Sequence, residues 1–262
     1  MLDALRAAAG DSLLDRHVDA DHHRCVLTMA SEPASLVAST LELAGAARDL
    51  IDLRVHRGAH PRLGALDVVP FTPLFGTSLD GAVAARDAVL DALAALGIPA
   101  FRYGPLPDGT ARSLPEVRRR AFADLAPDAG PATPHRTAGA TAVGARLPLV
   151  AWNAWIQGAN LEETRRVAAA VRDEHVRALG FEVAGATQVS CNLVDPLIAP
   201  PHVVYQRIEA ALPPGAHVVR CEVVGLVPDE VLGAVPRSLW ERLDLSEERS
   251  VERAAARIGV GA

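Results

Sequence analysis

Arg57-Gly58-Ala59-His60-Pro61-Arg62-Leu63-Gly64-Ala65-Leu66-Asp67-Val68-Val69-Pro70-Phe71 is the stretch from which the rest of the chain can be read. Gly58 and Pro61 oppose a helix here, the first by its backbone freedom and the second by its missing N–H. His60 therefore belongs to a shaped loop feeding an apolar strand, expected over Leu66–Leu74. Loops held on a rigid scaffold are where folds aim reactive side chains. Histidine can both take and give a proton near neutral pH, because its unperturbed pKa lies there. His60 is thus the first candidate for proton-transfer chemistry.

On the N-terminal side, Leu2–Ala9 reads as a short helix, and Ser12–Val18 and Arg24–Met29 as strands around a polar turn. Ser31-Glu32-Pro33 is a helix-start signal, and apolar spacing carries that helix to about Leu50. Beyond the His60 loop the expected elements are a helix over Ser78–Leu96, a strand at Ala100–Tyr103 and a charged helix over Leu114–Leu125. Ala126–Arg136 reads as loop. There follow a strand at Leu147–Trp155, a helix over Gly158–Leu179, a strand at Ala186–Leu193, a helix over Pro201–Leu212, a strand at Val218–Leu226, and a polar helical stretch after Pro228. Alternating strands and helices in two rounds predict α/β or α+β layers. Two helix-covered sheets fit better than one large doubly wound sheet.

The 262 residues are half hydrophobic, which predicts a globular chain with an ample core. No apolar run approaches membrane-spanning length, and the first residues lack a basic start and apolar middle, so a cytoplasmic protein is expected. The net charge of −6 argues against nucleic acid as partner. The chain has no lysine, so all 26 basic side chains are arginine. That excludes Schiff-base chemistry and a lysine-bearing phosphate loop, and leaves arginine forks for any carboxylate. A coding bias toward Arg and Ala accounts for the composition, and the chemical exclusion holds either way. The three cysteines are far apart and read as reduced, mostly buried side chains.

Four segments carry unusual polar residues: His17–Arg24, the His60 loop with Arg62 and Asp67, Thr133–Arg146, and Gln188–Leu193. Gln188, Ser190 and Asn192 alternate, so one face of that strand is polar. Such a face either lines a cavity or meets solvent. The triplet Arg118-Arg119-Arg120 reads as a solvated helix face. No metal is expected: His56 and His60 are four apart, but Gly58 and Pro61 break the helix that would join them.

These segments carry a family resemblance. Gly58–Phe71 resembles the Gly-Glu-His-Pro-Arg-Met-Gly-Ala-Leu-Asp-Val-Cys-Pro-Phe segment of glutamate formimidoyltransferases. His17–Val26, Leu50–Leu53, Thr137–Arg146, Gln188–Leu193, His202–Tyr205 and Glu222–Pro228 resemble further motifs of that family in the same order. The resemblance spans roughly residues 13–233. It implies an α+β fold of two αβ sandwich subdomains, with ferredoxin-like layers, flanking a ligand tunnel. The implied division is 1–147 and 148–235, followed by a helical tail at 236–262. A homodimer working on small molecules is implied, with tetrahydrofolate as co-substrate and a place in histidine degradation.

The implied reaction moves a formimidoyl group from N-formimidoylglutamate to N5 of tetrahydrofolate, with His60 as the catalytic histidine. His17, Arg24, Arg62, Asp67 and Arg146 would bind substrate, the arginines through carboxylates. Gln188, Ser190, Asn192, Thr141 and Asn153 would bind the folate. The chain also departs from the motifs. The family's opening Val-Pro-Asn-Phe-Ser-Glu-Gly motif and its cyclodeaminase part find no counterpart. Ala59 replaces a glutamate, His23 an asparagine, Trp155 the second asparagine of Ala-Tyr/Phe-Asn-x-Asn, and Arg220-Cys221 a Gly-Ser pair. A diverged member is expected, for which two other readings stay open. One is a folate-using enzyme of another reaction, such as 5-formyltetrahydrofolate cyclisation or a specialised biosynthetic step. The other is a non-catalytic folate-binding protein.

Overall fold

The computed structural model describes residues 1–20, 23–58, 62–183 and 185–261. In chain order the elements are α1 (Leu2–Ala9), a 3-10 turn (Gly10–Ser12), β1 (Leu13–Asp19), β2 (Arg24–Met29), α2 (Pro33–Leu50), β3 (Val68–Phe71), α3 (Leu79–Ala95), β4 (Ala100–Pro105), β5 (Ala111–Arg112), α4 (Leu114–Arg120) and β6 (Thr141–Ala145). They continue with β7 (Val150–Gln157), α5 (Leu161–Ala170), β8 (Val176–Val183), β9 (Ala186–Leu193), α6 (Pro201–Ala211), β10 (His217–Val224), α7 (Asp229–Ala234), 3-10 turns at Arg237–Leu239 and Glu247–Arg249, and α8 (Val251–Arg257). The architecture is α+β, in two compact units. One comprises Met1–Leu13 with Met29–Leu147, the other Leu14–Thr28 with Pro148–Ala262. The β1–β2 pair therefore groups by its contacts with the C-terminal unit.

In the first unit the sheet runs β3-β6-β4-β5, with β3, β6 and β4 parallel and β5 antiparallel to β4. Helices α2 and α3 cover one face through Ala44, Val89, Leu90 and Leu93, which meet Phe71, Val143 and Ala145. Val117 of α4 covers the other face against Phe101, Tyr103, Ala140 and Ala142. Every residue of the central strand β6 is consequently buried, as expected of a parallel strand covered on both sides. Its small residues serve close packing: a side chain at Gly144 would meet the Tyr103 ring at 2.1 Å. Helix α3 starts where the Ser78 hydroxyl accepts the Gly81 N–H (3.2 Å). Helix α4 starts on a reciprocal Ser113/Glu116 capping box.

The second unit orders its antiparallel sheet β10-β7-β9-β8 and connects it β7-α5-β8-β9-α6-β10, the ferredoxin-like arrangement. One sheet face packs α5 and α6 through Trp152, Ala154, Val189, Cys191, Val204 and Ile208. Residues after 235 join this core instead of forming a separate tail. Leu243 and Leu245 are buried in it, and the Trp152 indole donates to the Leu243 carbonyl at 3.0 Å.

Three elements differ from the sequence expectation. The helix expected over Gly158–Leu179 ends at Ala170, and residues 176–183 are strand β8. Asp173 turns the chain by accepting the N–H groups of His175 and Val176 (both 2.8 Å), after which Val176 and Ala178 alternate into the core. The helix expected over Leu114–Leu125 stops at Arg120, two residues before Phe122 takes a positive φ of 61°. Strand β6 lies inside a motif to which no element had been assigned. Among the described residues, no helix is long and apolar enough to cross a membrane.

The crossing of the chain at Gly64 depends on glycine. A Cβ at Gly64 would lie 2.0 Å from the Ala140 carbonyl oxygen, whereas one at Gly45, within α2, meets nothing inside 4 Å. Gly64→Ala is expected to cost about 1–3 kcal/mol, through overpacking against rigid backbone. Gly45→Ala is expected to stabilise by about 0.5–1 kcal/mol. Urea unfolding of the two variants should therefore move in opposite directions.

A His175–Asp195 pair (2.8 Å) joins the start of β8 to the end of β9. The hydrogen bond to Asp195 raises the His175 pKa above its ordinary value. A raised histidine stabilises fully below its unfolded-state pKa and loses that contribution as pH rises through the folded value. The difference in melting temperature between the natural protein and Asp195→Asn should be largest between about pH 5 and 6.5 and should close at higher pH.

Candidate functional site

The described flank of the His60 loop is held against the Thr137–Arg146 motif. Ala65 donates to Ala138 (2.9 Å), Ala140 to Leu63 (3.1 Å) and Ala142 to Asp67 (3.0 Å), while Gly64 bridges Gly139. A Cβ at Gly139, whose φ is 69°, would lie 2.3 Å from the Leu63 carbonyl oxygen. Two motifs distant in sequence are therefore the two sides of one backbone contact, which fixes the exit of the loop. The Asp67 carboxylate stiffens that exit by accepting the N–H of Leu63 (2.5 Å) and of Gly64 (3.3 Å) and by pairing with Arg118 (2.5 Å). Arg118, expected on a solvated face, is in fact a structural partner. Arg62 contacts the His56 ring nitrogen. Thr141 is 1% exposed and donates to the Leu66 carbonyl (2.8 Å), so its hydroxyl proton is committed within the scaffold. Arg146, at the end of β6, donates to the Leu147 carbonyl (2.9 Å). His60, with Ala59 and Pro61, lies outside the described residues.

In the second unit, the sheet face opposite the helices is polar. Cross-strand pairing places Asn153 beside Ser190 and Glu222, Trp155 beside Gln188 and Arg220, and Ala151 beside Asn192. Three expected folate-binding residues of β9 and one of β7 therefore share a single face. The place of Arg220 and Glu222 on the same face needs the irregularity in β10 between Val218 and Arg220. Val218 pairs with Ile156 and packs toward the core; one extra residue then switches the phase of the strand. Cys221 and Val223 turn into the core, and Arg220 and Glu222 turn onto the polar face. Burial pushes the thiols of Cys191 and Cys221 up to about 12, which keeps both neutral near pH 7 and removes them as nucleophiles.

Glu222 is the hub of this face. Its Oε2 accepts the Trp155 indole N–H (3.1 Å) and the Asn153 amide (3.4 Å), and its Oε1 lies 3.8 Å from His17 Nε2 on β1. The Arg220 guanidinium stacks over the Trp155 ring, 4.1 Å from its centroid. Gln188 is 1% exposed, and its Oε1 is buried without a hydrogen-bond partner, which marks a place where a donor is missing. Arg24 opens β2, with Nε 3.9 Å from Asp19. His17, Arg24, Asn153, Gln188, Ser190 and Asn192 thus belong to the second unit, and Arg62, Asp67, Thr141 and Arg146 to the first.

Residues 1–146 match the family model described as "Formiminotransferase domain, N-terminal subdomain", and residues 151–262 match "Formiminotransferase domain". The chain belongs to the formiminotransferase-domain family. It is 32% identical to a glutamate formimidoyltransferase of Thermoplasma acidophilum, over 97% of this chain and 91% of that protein. It is 33% identical to a glutamate formimidoyltransferase of Streptococcus pyogenes, over 88% and 85% of the two chains. The formimidoyltransferase-cyclodeaminase of Rattus norvegicus is 33% identical over 87% of this chain, which corresponds to 47% of its own length. The chain is accordingly an enzyme of the transferase class. Glu222 opens one of the resembled motifs but carries no site role in the sequence reading. The signal available was the break from Val218-Val219 to Arg220-Cys221-Glu222, which disrupts simple alternation and marks the irregularity.

Glu222→Ala is expected to cost about 1–3 kcal/mol, because it leaves the half-buried Trp155 indole N–H and the buried Asn153 amide without an acceptor. Glu222→Gln keeps an acceptor oxygen and should recover more than half of that loss in urea unfolding.

Proposed function

We propose that this chain transfers a formimidoyl group from an N-formimidoyl amino acid, N-formimidoylglutamate in the first instance, to N5 of tetrahydrofolate, with His60 as general acid and base. The observation that carries this reading is membership of the formiminotransferase-domain family across both halves of the chain. The local sequence supports it through the histidine that stands between the glycine and proline of the family-like segment. The polar sheet face suits the co-substrate: a pterin ring presents N–H donors along one edge, and Gln188 Oε1 lacks a donor. Asn153, Ser190 and Asn192 extend the same hydrogen-bonding face. Arg24, Arg62 and Arg146 supply forks for carboxylates on the glutamate and the folate tail. His17 acts beside Glu222, while Asp67 and Thr141 position the loop exit.

In the proposed reaction, N5 attacks the amidine carbon of the donor, and the N5–C bond forms as a tetrahedral centre develops. His60 takes the proton that N5 must lose. It returns that proton to the glutamate nitrogen as the C–N bond to glutamate breaks, which leaves HN=CH– on N5 and free glutamate. One positioned histidine is worth roughly 10²–10⁴-fold in such a proton relay. Holding both substrates in one geometry supplies the remainder of the advantage through proximity.

The test incubates the protein with tetrahydrofolate and N-formimidoylglutamate and measures free glutamate together with the 5-formimidoyl product. Turnover is expected, and His60→Ala should lower kcat by about 10²–10⁴-fold. A His60→Ala variant with unchanged kcat would remove the proton-relay role. Tetrahydrofolate binding without turnover of any formimidoyl or formyl donor would favour the binding-protein reading instead.

A further inference from the structure

We propose that Arg220, stacked on Trp155, is a specificity-determining residue of this enzyme and binds a carboxylate of one of its substrates. The proposal deepens the reading above, because it takes the polar sheet face of the second unit to be a substrate face. Arg220 is directed onto that face only by the irregularity in β10; in an unbroken strand it would pair with Ala154 and point into the core. Once there, it forms no ion pair among the described residues. Glu222, two residues along on the same face, is engaged by the Trp155 indole and the Asn153 amide and faces His17. The indole holds the guanidinium plane at 4.1 Å and leaves its N–H edge unused. On the next strand, Gln188 pairs with Trp155 and keeps its buried Oε1 without a donor. An amino-acid end placed here would present an N–H to Gln188 and a carboxylate to Arg220.

The charge balance selects a carboxylate over a phosphate group. A single guanidinium fork matches a monoanionic carboxylate in a bidentate arrangement. A dianionic phosphate would need more positive charge, and Glu222 opposes it. The resembled motifs have glycine where Arg220 stands and asparagine where Trp155 stands, so those motifs do not supply this recognition. The carboxylate can come from the formimidoyl donor or from the glutamate tail of the folate.

Arg220→Gln removes the charge at an exposed position. The first readout is binding and KM for N-formimidoylglutamate against its side-chain and α-carboxamide analogues, and for tetrahydrofolate against tetrahydropteroate, which lacks the tail. Arg220→Gln is expected to weaken one carboxylate-bearing probe by about 10- to 100-fold and its carboxylate-free analogue by less than about threefold, with the loss carried by KM. Loss confined to the donor pair assigns the carboxylate to the donor; loss confined to the folate pair assigns it to the tail. Equal effects on both members of each pair, or none, overturn the proposal. The second readout is tryptophan fluorescence titrated with glutarate, where the natural protein should respond and Arg220→Gln should not. Turnover in the assay above with no Arg220 dependence in either readout overturns this assignment and leaves formimidoyl transfer standing. An Arg220-dependent response to glutarate in a protein without turnover does the reverse.

Discussion

The contact on which the first unit depends is the backbone crossing of Gly64 and Gly139. At that point the carbonyls of Leu63 and Ala140 occupy the space that two Cβ atoms would need. Three backbone hydrogen bonds then lock residues 63–67 to 138–142, and the Asp67 carboxylate stiffens the first of these segments by accepting the N–H groups of Leu63 and Gly64. The crossing begins two residues after Pro61 and holds the described flank of that segment in place. It also explains why Thr137–Arg146 is rich in small residues. Ala140 and Ala142 fill one face of the strand, Val143 and Ala145 the other, and neither face has room for more.

The second unit solves a different problem. A ferredoxin-like sheet offers one face to its helices and must do something with the other. Here that face gathers Asn153, Gln188, Ser190 and Glu222, which are costly to bury unless they are paired. Glu222 settles most of that cost by serving two N–H donors and facing His17. Gln188 Oε1, by contrast, is buried without a hydrogen-bond partner among the described residues. A buried amide oxygen left without a donor beside an otherwise satisfied network marks where a ligand can improve on the unliganded protein.

Much of this was legible in the sequence, because the signals were local. Helix starts at Ser78 and Ser113 carry their own capping side chains, and the start at Glu32-Pro33 carries its proline in the first turn. The polar alternation Gln188/Ser190/Asn192 named its strand face correctly. What escaped was set by distant partners. Strand β6 has no β-branched run, since its residue sizes answer to Tyr103 and to the helices on both sides. Strand β8 carries Arg177, Ala178 and Leu179, residues that favour a helix, and becomes a strand through the Asp173 turn and its pairing with β9. The partnership of Arg118 with Asp67 spans 51 residues, beyond any periodicity.

Glu222 shows how a single irregularity converts sequence into a site. Had β10 run without the extra residue, Cys221 would face the polar side and Arg220 and Glu222 would point into the apolar core. Two charges would then be buried among Trp152, Ala154 and Val189, at a cost of several kcal/mol each. The irregularity is therefore required by the sequence on both sides of it. Val218 and Val223 must both reach the core, and their odd spacing can be met only by a phase change between them. The two departures from the resembled motifs on this face, Trp155 and Arg220, are direct cross-strand partners stacked at 4.1 Å. They form one physical unit. The indole gives the guanidinium a platform, the guanidinium covers the indole, and Glu222 anchors the pair to the part of the face that keeps the family pattern.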